Sequence, residues 1–276
     1  MRRACVIGWP IEHSRSPLIH GYWLAHYGIE GTYTKVAVEP DHVAQFLRSL
    51  AAEGFVGCNV TVPHKEMAYA IADEVDESAR VVGAANTLWL ERDRLHAANT
   101  DTYGYMTYLG HVVPDWSGHD GPVCVLGAGG AARAIVYGFL DAGVDEVRIF
   151  NRTRERAEAI AEQFGPRVRV FDWDNRSNGA RDACVLVNTT AVGLKGAGSL
   201  GMDFAGFNAD CVVSDIVYVP LETELITAAR SHGLRTVDGL GMLLHQAVPG
   251  FERWFGIRPQ VTDELRAMIV ADIEGK

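Results

Sequence analysis

Short apolar runs alternate with longer helical patterns along almost the whole chain, and this alternation limits the fold more than any other feature. ACVIG (4–8) reads as a strand. Ser16-Pro17 then opens a helix to about Tyr27, with serine as N-cap and proline at the first helical position. Gly28 stops it. YTKVAV (33–38) is a second strand, and 41–53 a helix with Val43, Phe46, Leu47 and Leu50 on one face. FVGCNVTV (55–62) is a third strand, followed by a helix over 63–72. This order predicts an α/β fold, a mostly parallel sheet covered by helices.

The pattern changes in NTLWLERDRLHAANTD (86–101), where two strand-like runs flank the charged turn Glu91-Arg92-Asp93-Arg94 and predict a hairpin. A helix follows from about Asp101 to Leu109, and 112–122 reads as a loop. A second α/β series then begins. Residues 122–165 read as strand, glycine turn, helix, strand, polar turn and helix. VRVF (168–171), CVLVNTT (184–190) and CVVSDIVY (211–218) add strands, and 222–231 adds a helix. These elements place a second α/β domain at 105–238. The tail, 239–276, is helical at 240–255 and 262–273, and its periodicity does not decide which domain it caps.

A chain of 276 residues can bury two cores without disulfides or metal. Its net charge of −10 argues against a nucleic-acid backbone or an anionic membrane as partner. The five cysteines each lie in or beside an apolar run, which suits buried thiols in a reducing cytoplasm. MRRACVIGWP is too short to be a signal-peptide core. No stretch approaches the roughly 18 apolar residues of a membrane span.

LGAGGAARA (126–134) sits between a strand and a helix pattern. Gly127 permits the tight turn, Gly129 lets backbone approach a pyrophosphate, and Ala132 is small enough for close helix packing. The helix N-terminus would then face phosphate with its free N–H groups. NAD-binding proteins commonly carry a carboxylate at the end of the next strand. This chain has Asn151-Arg152-Thr153-Arg154-Glu155-Arg156 there instead. Arginine can pair with a 2′-phosphate that a carboxylate would repel, which points to NADP. A solvated first helical turn is the plain alternative for at least one of these arginines.

CNVTVPHKE (58–66) brings an amide, a hydroxyl and an amine to a strand end. Asn59 and Thr61 share one face of the strand. Pro63 suits a first helical position, which places Lys65 in the first turn, as a candidate proton-transfer group or as an ordinary surface lysine. Ser14 and Ser16 flank Arg15 at a helix start, where two hydroxyls suit a carboxylate. GAANT (83–87) and NTD (99–101) bracket the hairpin and offer Asn86 and Asp101. Taken alone, Asp101 reads rather as an N-cap, and Gln246 on the tail as a surface glutamine.

Taken together, HSRSPLIH (13–20), NVTVPHK (59–65), GAANT (83–87), NTD (99–101), GAGGAARA (127–134), NRT (151–153), NTT (188–190) and DGLGMLLHQA (238–247) resemble the shikimate dehydrogenase family, in the family's order and across nearly the whole chain. The resemblance implies two α/β domains with a cleft between them. The substrate-binding and catalytic domain would comprise 1–104 plus 239–276, the C-terminal helices returning to the first domain, and a Rossmann-type NADP-binding domain would comprise 105–238. It implies NADPH-dependent reversible reduction of 3-dehydroshikimate to shikimate, in the biosynthesis of chorismate and aromatic amino acids, by a cytoplasmic monomer or homodimer. Its partner would be a small-molecule substrate, with no nucleic acid, membrane or metal.

Residue by residue, Lys65 and Asp101 match the family's catalytic pair. Ser14, Ser16, Thr61, Asn86, Asp101, Tyr218 and Gln246 match its substrate contacts. Gly127, Ala128, Gly129, Gly130, Ala131, Asn151, Arg152, Thr153 and Arg154 match its cofactor contacts, with Ile216 and Gly239 near the nicotinamide and Glu77 approaching the cofactor across the cleft. Leu194 stands where methionine is usual in the family. A quinate/shikimate dehydrogenase of quinate catabolism using NAD is the neighbouring alternative, and a non-catalytic ligand sensor a more distant one. A dehydrogenase for another small acid would need the polar set to match by chance.

Overall fold

Two six-stranded sheets organise the chain. The structure is a computed structural model and describes residues 1–275. The chain divides into two compact units, Met1–Gly104 together with the chain from Leu244 onward, and Tyr105–Leu243.

In the first unit β1 (Arg2–Gly8), α1 (Ser16–His26), β2 (Gly31–Ala37), α2 (Val43–Arg48), β3 (Gly57–Val60) and α3 (Lys65–Ile71) follow the expected alternation. Two short elements come next that the apolar pattern did not announce, β4 (Glu74–Val75) and α4 (Glu77–Val82). The hairpin is β5 (Thr87–Glu91) and β6 (Arg94–Ala98), turning through Arg92 and Asp93, both at positive φ. The sheet order is β2-β1-β3-β5-β6-β4. β1 runs parallel to β2 and β3, while β5 is antiparallel to both β3 and β6. The sheet is therefore mixed, because a two-residue turn can only return the chain antiparallel.

This topology brings several chain segments to one edge. Ile7 pairs with Val60 at the carboxyl ends of β1 and β3. Asn59 pairs with Thr87 at the start of β5, and Thr87 pairs with Ala98 at the end of β6. The segments after β1, after β3, before β5 and after β6 therefore share one end of the sheet.

Two helix starts differ from expectation. Ser16 is the first residue of α1, and Arg15 holds the N-cap position without a side-chain cap. The Ser16 N–H instead donates to Ser14 Oγ at 3.3 Å. Pro63 lies before α3, after a cis Val62–Pro63 peptide bond, and a turn from His64 N–H to the Thr61 carbonyl delays the helix to Lys65.

The second unit begins within α5 (Asp101–Val112) and continues through β7 (Val123–Leu126), α6 (Gly130–Asp141), β8 (Val147–Phe150), α7 (Arg154–Phe164), β9 (Val168–Phe171), the single turn α8 (Arg176–Gly179), β10 (Val185–Asn188), β11 (Val212–Asp215), α9 (Glu224–Ser231) and β12 (Arg235–Val237). Its sheet, β12-β11-β10-β7-β8-β9, is parallel throughout. Such a sheet needs apolar residues on both faces. Val123 and Val125 enter one core with Phe139 and Ile149, while Cys124 and Leu126 enter the opposite core with Phe150 and Leu186. The 112–122 segment is less irregular than its composition suggests, since Trp116 is buried edge-on against Phe139.

α10 (Gly239–Phe255) and α11 (Asp263–Glu274) complete the chain. The division falls at Leu244 rather than at 239, because a side chain on Gly239 or Gly241 would collide with the Ile216 carbonyl or the Tyr108 ring, both in the second unit. Past Leu244 the contacts belong to the first unit: Trp254 Nε1 donates to the Leu88 carbonyl at 2.9 Å, and Arg15 pairs with Asp272 at 2.8 Å. All five cysteines are buried and unpaired. No helix of the described residues is long and apolar enough to cross a membrane.

Candidate active site

At the shared sheet edge of the first unit, α3 presents Lys65 at its first residue and α5 presents Asp101 at its first residue. Lys65 Nζ donates to Asp101 Oδ2 at 2.6 Å. Asp101 is nearly buried, whereas Lys65 keeps 30% of its side chain exposed, so solvent reaches the pair from the lysine side. The other carboxylate oxygen, Oδ1, accepts from Asn86 Nδ2 at 2.8 Å. The Asp101 backbone N–H donates to Asn99 Oδ1 at 3.0 Å, and Asn99 Nδ2 donates to the Ala84 carbonyl at 3.0 Å. Asp101 thus uses its carboxylate on a lysine and an amide rather than on its own helix.

Gln246, on α10, brings Oε1 to 3.5 Å from Asn86 Nδ2, a long contact. Lys65, Asn86, Asp101 and Gln246 are therefore one connected group. Thr61 follows β3 and packs its methyl against Gly8, at the end of β1. The Trp9 N–H donates to the Val62 carbonyl at 3.2 Å. These contacts tie the connection carrying Ser14 and Ser16 to the segment carrying Thr61 and Lys65.

Behind these residues lies a buried polar layer of Tyr33, Asn59, Thr87 and Thr100 that the motifs alone do not assign. Asn59 was legible only as an amide on an otherwise apolar strand. His20 is wholly buried and stacks on Tyr33 with ring centroids 3.9 Å apart. Burial drives the His20 pKa down to about 3, and Asn59 offsets part of that without reaching hydrogen-bond geometry.

In the second unit, Gly127 holds φ at +109°, and a Cβ there would lie 2.7 Å from Thr189 Oγ1. Its N–H donates to the Phe150 carbonyl at 2.8 Å, which ties the start of the turn between β7 and α6 to the end of β8. Gly129 and Gly130 differ from it. A Cβ at either would meet nothing within 4 Å. The fold therefore does not itself require glycine there, and the backbone at the start of the twelve-residue α6 stays bare. That is the arrangement a pyrophosphate needs for close approach to free N–H groups. Ala128 lies within the turn and Ala131 in the first turn of α6.

Beyond β8, Asn151 Nδ2 donates to the Thr153 carbonyl at 2.6 Å, and Thr153 is the N-cap of α7. Arg154 is held by Glu158 at 2.8 Å and Asp172 at 2.9 Å. Arg152 is exposed and makes no ion pair among the described residues. Asn151, Arg152 and Arg154 line a groove with Trp173 and Asp172. Arg152 is thus the readier partner for a phosphate, since Arg154 must share itself with two carboxylates.

Past β11, Gly239 packs directly on the Ile216 carbonyl. Tyr218 is half-buried two residues further along the chain from Ile216. Asp215 is a buried carboxylate that the sequence motifs left aside. It accepts from Asn188 Nδ2 at 2.9 Å, Val217 N–H at 2.9 Å and Thr223 Oγ1 at 2.8 Å, and burial raises its pKa to about 6. It ties β10 to β11. Glu77 is exposed at the start of α4 and pairs with Arg80 one turn on.

A doubly wound parallel sheet with a bare glycine turn, in one chain with an α/β unit that joins a lysine to an aspartate, defines the class of dinucleotide-linked dehydrogenases of small molecules. Comparison with known proteins narrows the class. Residues 6–88 match the shikimate dehydrogenase substrate binding domain, residues 113–194 the shikimate / quinate 5-dehydrogenase model, and residues 239–263 the shikimate 5′-dehydrogenase C-terminal domain. The shikimate dehydrogenase (NADP(+)) of Azorhizobium caulinodans is 52% identical over 100% of this chain and 98% of its own. The shikimate 5-dehydrogenase of Thermus thermophilus, solved with NADP(H) and shikimate, is 34% identical with a TM-score of 0.86, over 99% of this chain and 100% of its own. Quinate dehydrogenase from Corynebacterium glutamicum, solved with NAD, is 28% identical with a TM-score of 0.88, over 98% and 99% of the two chains. The chain belongs to the shikimate dehydrogenase family.

Proposed function

We propose that the protein catalyses the reversible, NADP-dependent interconversion of shikimate and 3-dehydroshikimate, in the pathway to chorismate and the aromatic amino acids. The observation that carries this reading is the Lys65–Asp101 hydrogen bond of 2.6 Å, in a chain half identical to a relative named for that reaction.

Oxidising a secondary alcohol removes a hydride from carbon and a proton from oxygen. Bound NADP supplies the redox chemistry, as hydride acceptor in this direction and, once reduced, hydride donor in the other. Proton handling falls to Lys65 and Asp101, which take the hydroxyl proton as a unit during oxidation and return it during reduction. Asn86 fixes one carboxylate oxygen of Asp101, so that the other meets Lys65. Ser14 and Ser16 hold the substrate carboxylate, assisted by Tyr218. Thr61, Asn86 and Gln246 hold its hydroxyls and ring edge.

Gly127, Ala128, Gly129, Gly130 and Ala131 carry the pyrophosphate at the start of α6. Asn151, Arg152 and Thr153 carry the adenosine 2′-phosphate, with Arg154 as a second cation. Ile216 and Gly239 would hold the nicotinamide of a bound NADP, and Glu77 would add a further cofactor contact. Purified protein assayed by reduced-nicotinamide absorbance with shikimate or quinate, and NADP or NAD, tests the reading. Shikimate with NADP should be the fastest pairing. Fastest turnover of quinate with NAD would replace this reading with the catabolic one.

A further inference from the structure

We propose that Thr87 is a positioning residue for the Lys65–Asp101 pair, acting through a hydrogen-bond chain whose donor direction is set by backbone groups. The inference deepens the dehydrogenase reading above and rests on it.

Asn59 and Asn86 could each be turned either way, and the backbone decides both. The Asn59 amide nitrogen lies 3.1 Å from the Asn86 main-chain carbonyl, which can only accept. Asn59 Oδ1 therefore faces Tyr33, whose hydroxyl donates to it at 2.6 Å. The same Asn59 amino group donates to Thr87 Oγ1 at 3.2 Å. Thr87 Oγ1 in turn donates to Asn86 Oδ1, 3.0 Å away, and lies 3.1 Å from Thr100 Oγ1, where either hydroxyl can donate. Thr100 reinforces the same end: its backbone N–H, which can only donate, lies 2.8 Å from Asn86 Oδ1, and its hydroxyl lies 3.1 Å away. The Asn86 amino group is thereby aimed at Asp101 Oδ1 at 2.8 Å, and Asp101 Oδ2 remains for Lys65.

Asn59, Asn86, Thr87 and Thr100 are all buried, so bulk solvent does not replace a missing partner. Replacing the Thr87 hydroxyl with carbon takes one donor from Asn86 and one acceptor from Asn59. The Asn86 carboxamide then keeps only Thr100 at its oxygen end and is held less firmly, and with it the carboxylate it holds. A misplacement of about 1 Å in a reacting group can cost about a hundredfold in rate. Thr87 makes no hydrogen bond with Lys65 or Asp101 among the described residues, so its effect passes through its partners Asn86 and Thr100.

The test uses the full chain with shikimate and NADP, measuring kcat and KM for wild type and for Thr87→Ser, Thr87→Val and Thr87→Ala, each also combined with Asp101→Asn. Valine preserves volume and alanine reduces it, so a single well-folded apolar variant is sufficient, with retained NADP affinity as the check on integrity. Val and Ala should lower kcat by about tenfold or more while the KM for NADP moves by less than about threefold. Ser keeps the hydroxyl and should stay within about threefold of wild type. On the Asp101→Asn background the apolar changes should add less than about twofold, because both act through one group. Wild-type kcat in the apolar variants, an equal loss in Thr87→Ser, or losses that multiply with Asp101→Asn would overturn the inference while leaving the dehydrogenase reading intact. A wild-type chain that does not turn over shikimate would overturn both.

Discussion

Asn86 Nδ2 lies 2.8 Å from Asp101 Oδ1, and Lys65 Nζ lies 2.6 Å from Asp101 Oδ2, so one carboxylate joins a neutral amide to a cation. Replacing Asp101 with asparagine keeps the shape but removes the charge. Lys65 loses its anion and Asn86 faces another amide. The expected result is a fall in kcat of about 10²–10⁴ with NADP affinity unchanged. Steady-state kinetics together with a cofactor titration check this.

The glycine turn yields a contrast between two neighbouring substitutions. Gly127→Ala places a Cβ 2.7 Å from Thr189 Oγ1 in a backbone conformation with φ of +109°. It should destabilise the second unit by about 1–3 kcal/mol. Gly129→Ala meets no atom of the chain within 4 Å and should leave unfolding within about 0.5 kcal/mol of wild type. It should nevertheless weaken NADP by about tenfold or more, because the new methyl occupies the approach of the pyrophosphate. Denaturant unfolding and a fluorescence titration with NADP separate the two outcomes. Unchanged NADP affinity in Gly129→Ala would mean that this turn does not hold the cofactor.

Arg152, at the end of β8, is exposed and makes no ion pair among the described residues. Arg152→Ala should raise the KM for NADP by about tenfold to a hundredfold, the loss of one charged hydrogen bond of about 1.5–3 kcal/mol. The KM for NAD, which lacks the 2′-phosphate, should move by less than about twofold. Paired initial-rate measurements with both cofactors test it, and equal losses for the two would remove Arg152 from cofactor selection.

His20 predicts an acid sensitivity of the first unit. Its folded pKa is depressed from 6.5 to about 3 by burial, so the unfolded chain takes up the proton first as pH falls. The stability gained from a neutral His20 is complete above about pH 6.5 and is lost progressively down to about pH 3. Between about pH 7.5 and about pH 5 that loss amounts to about 2 kcal/mol. His20→Phe removes the titrating group and retains the stack on Tyr33, so its urea midpoint should depend less on pH over that window. Equal pH dependence in the two proteins would assign the acid sensitivity to other groups.

How far the fold could be read in advance depended on whether an element carries its own signal. β7, the glycine turn and α6 each do, through an apolar run, a glycine cluster and a helical period, and the structure has them where those signals lie. β4 and α4 are too short for periodicity to register, and β12 is a three-residue strand that owes its place to pairing with β11. Pro63 carries an N1 signal that the His64–Thr61 turn overrides. The polar residues of the candidate site were legible as types, but Lys65, Asn86 and Asp101 each have an ordinary surface or capping explanation when taken singly. Their meeting depends on antiparallel pairing of β3, β5 and β6, which sets the ends of distant segments side by side. Thr87 and Tyr33 left no trace beyond their identity, because a donor direction is a property of a network and not of a residue.

The most direct test is Lys65→Met, which keeps the length of the side chain and removes the amine. With shikimate and NADP, kcat should fall by about 10²–10⁴ while the dissociation constant for shikimate changes by less than about threefold. Near-normal kcat with weakened shikimate binding would show that the amine only holds the substrate, and would contradict the Lys65–Asp101 pair as the group that moves the proton.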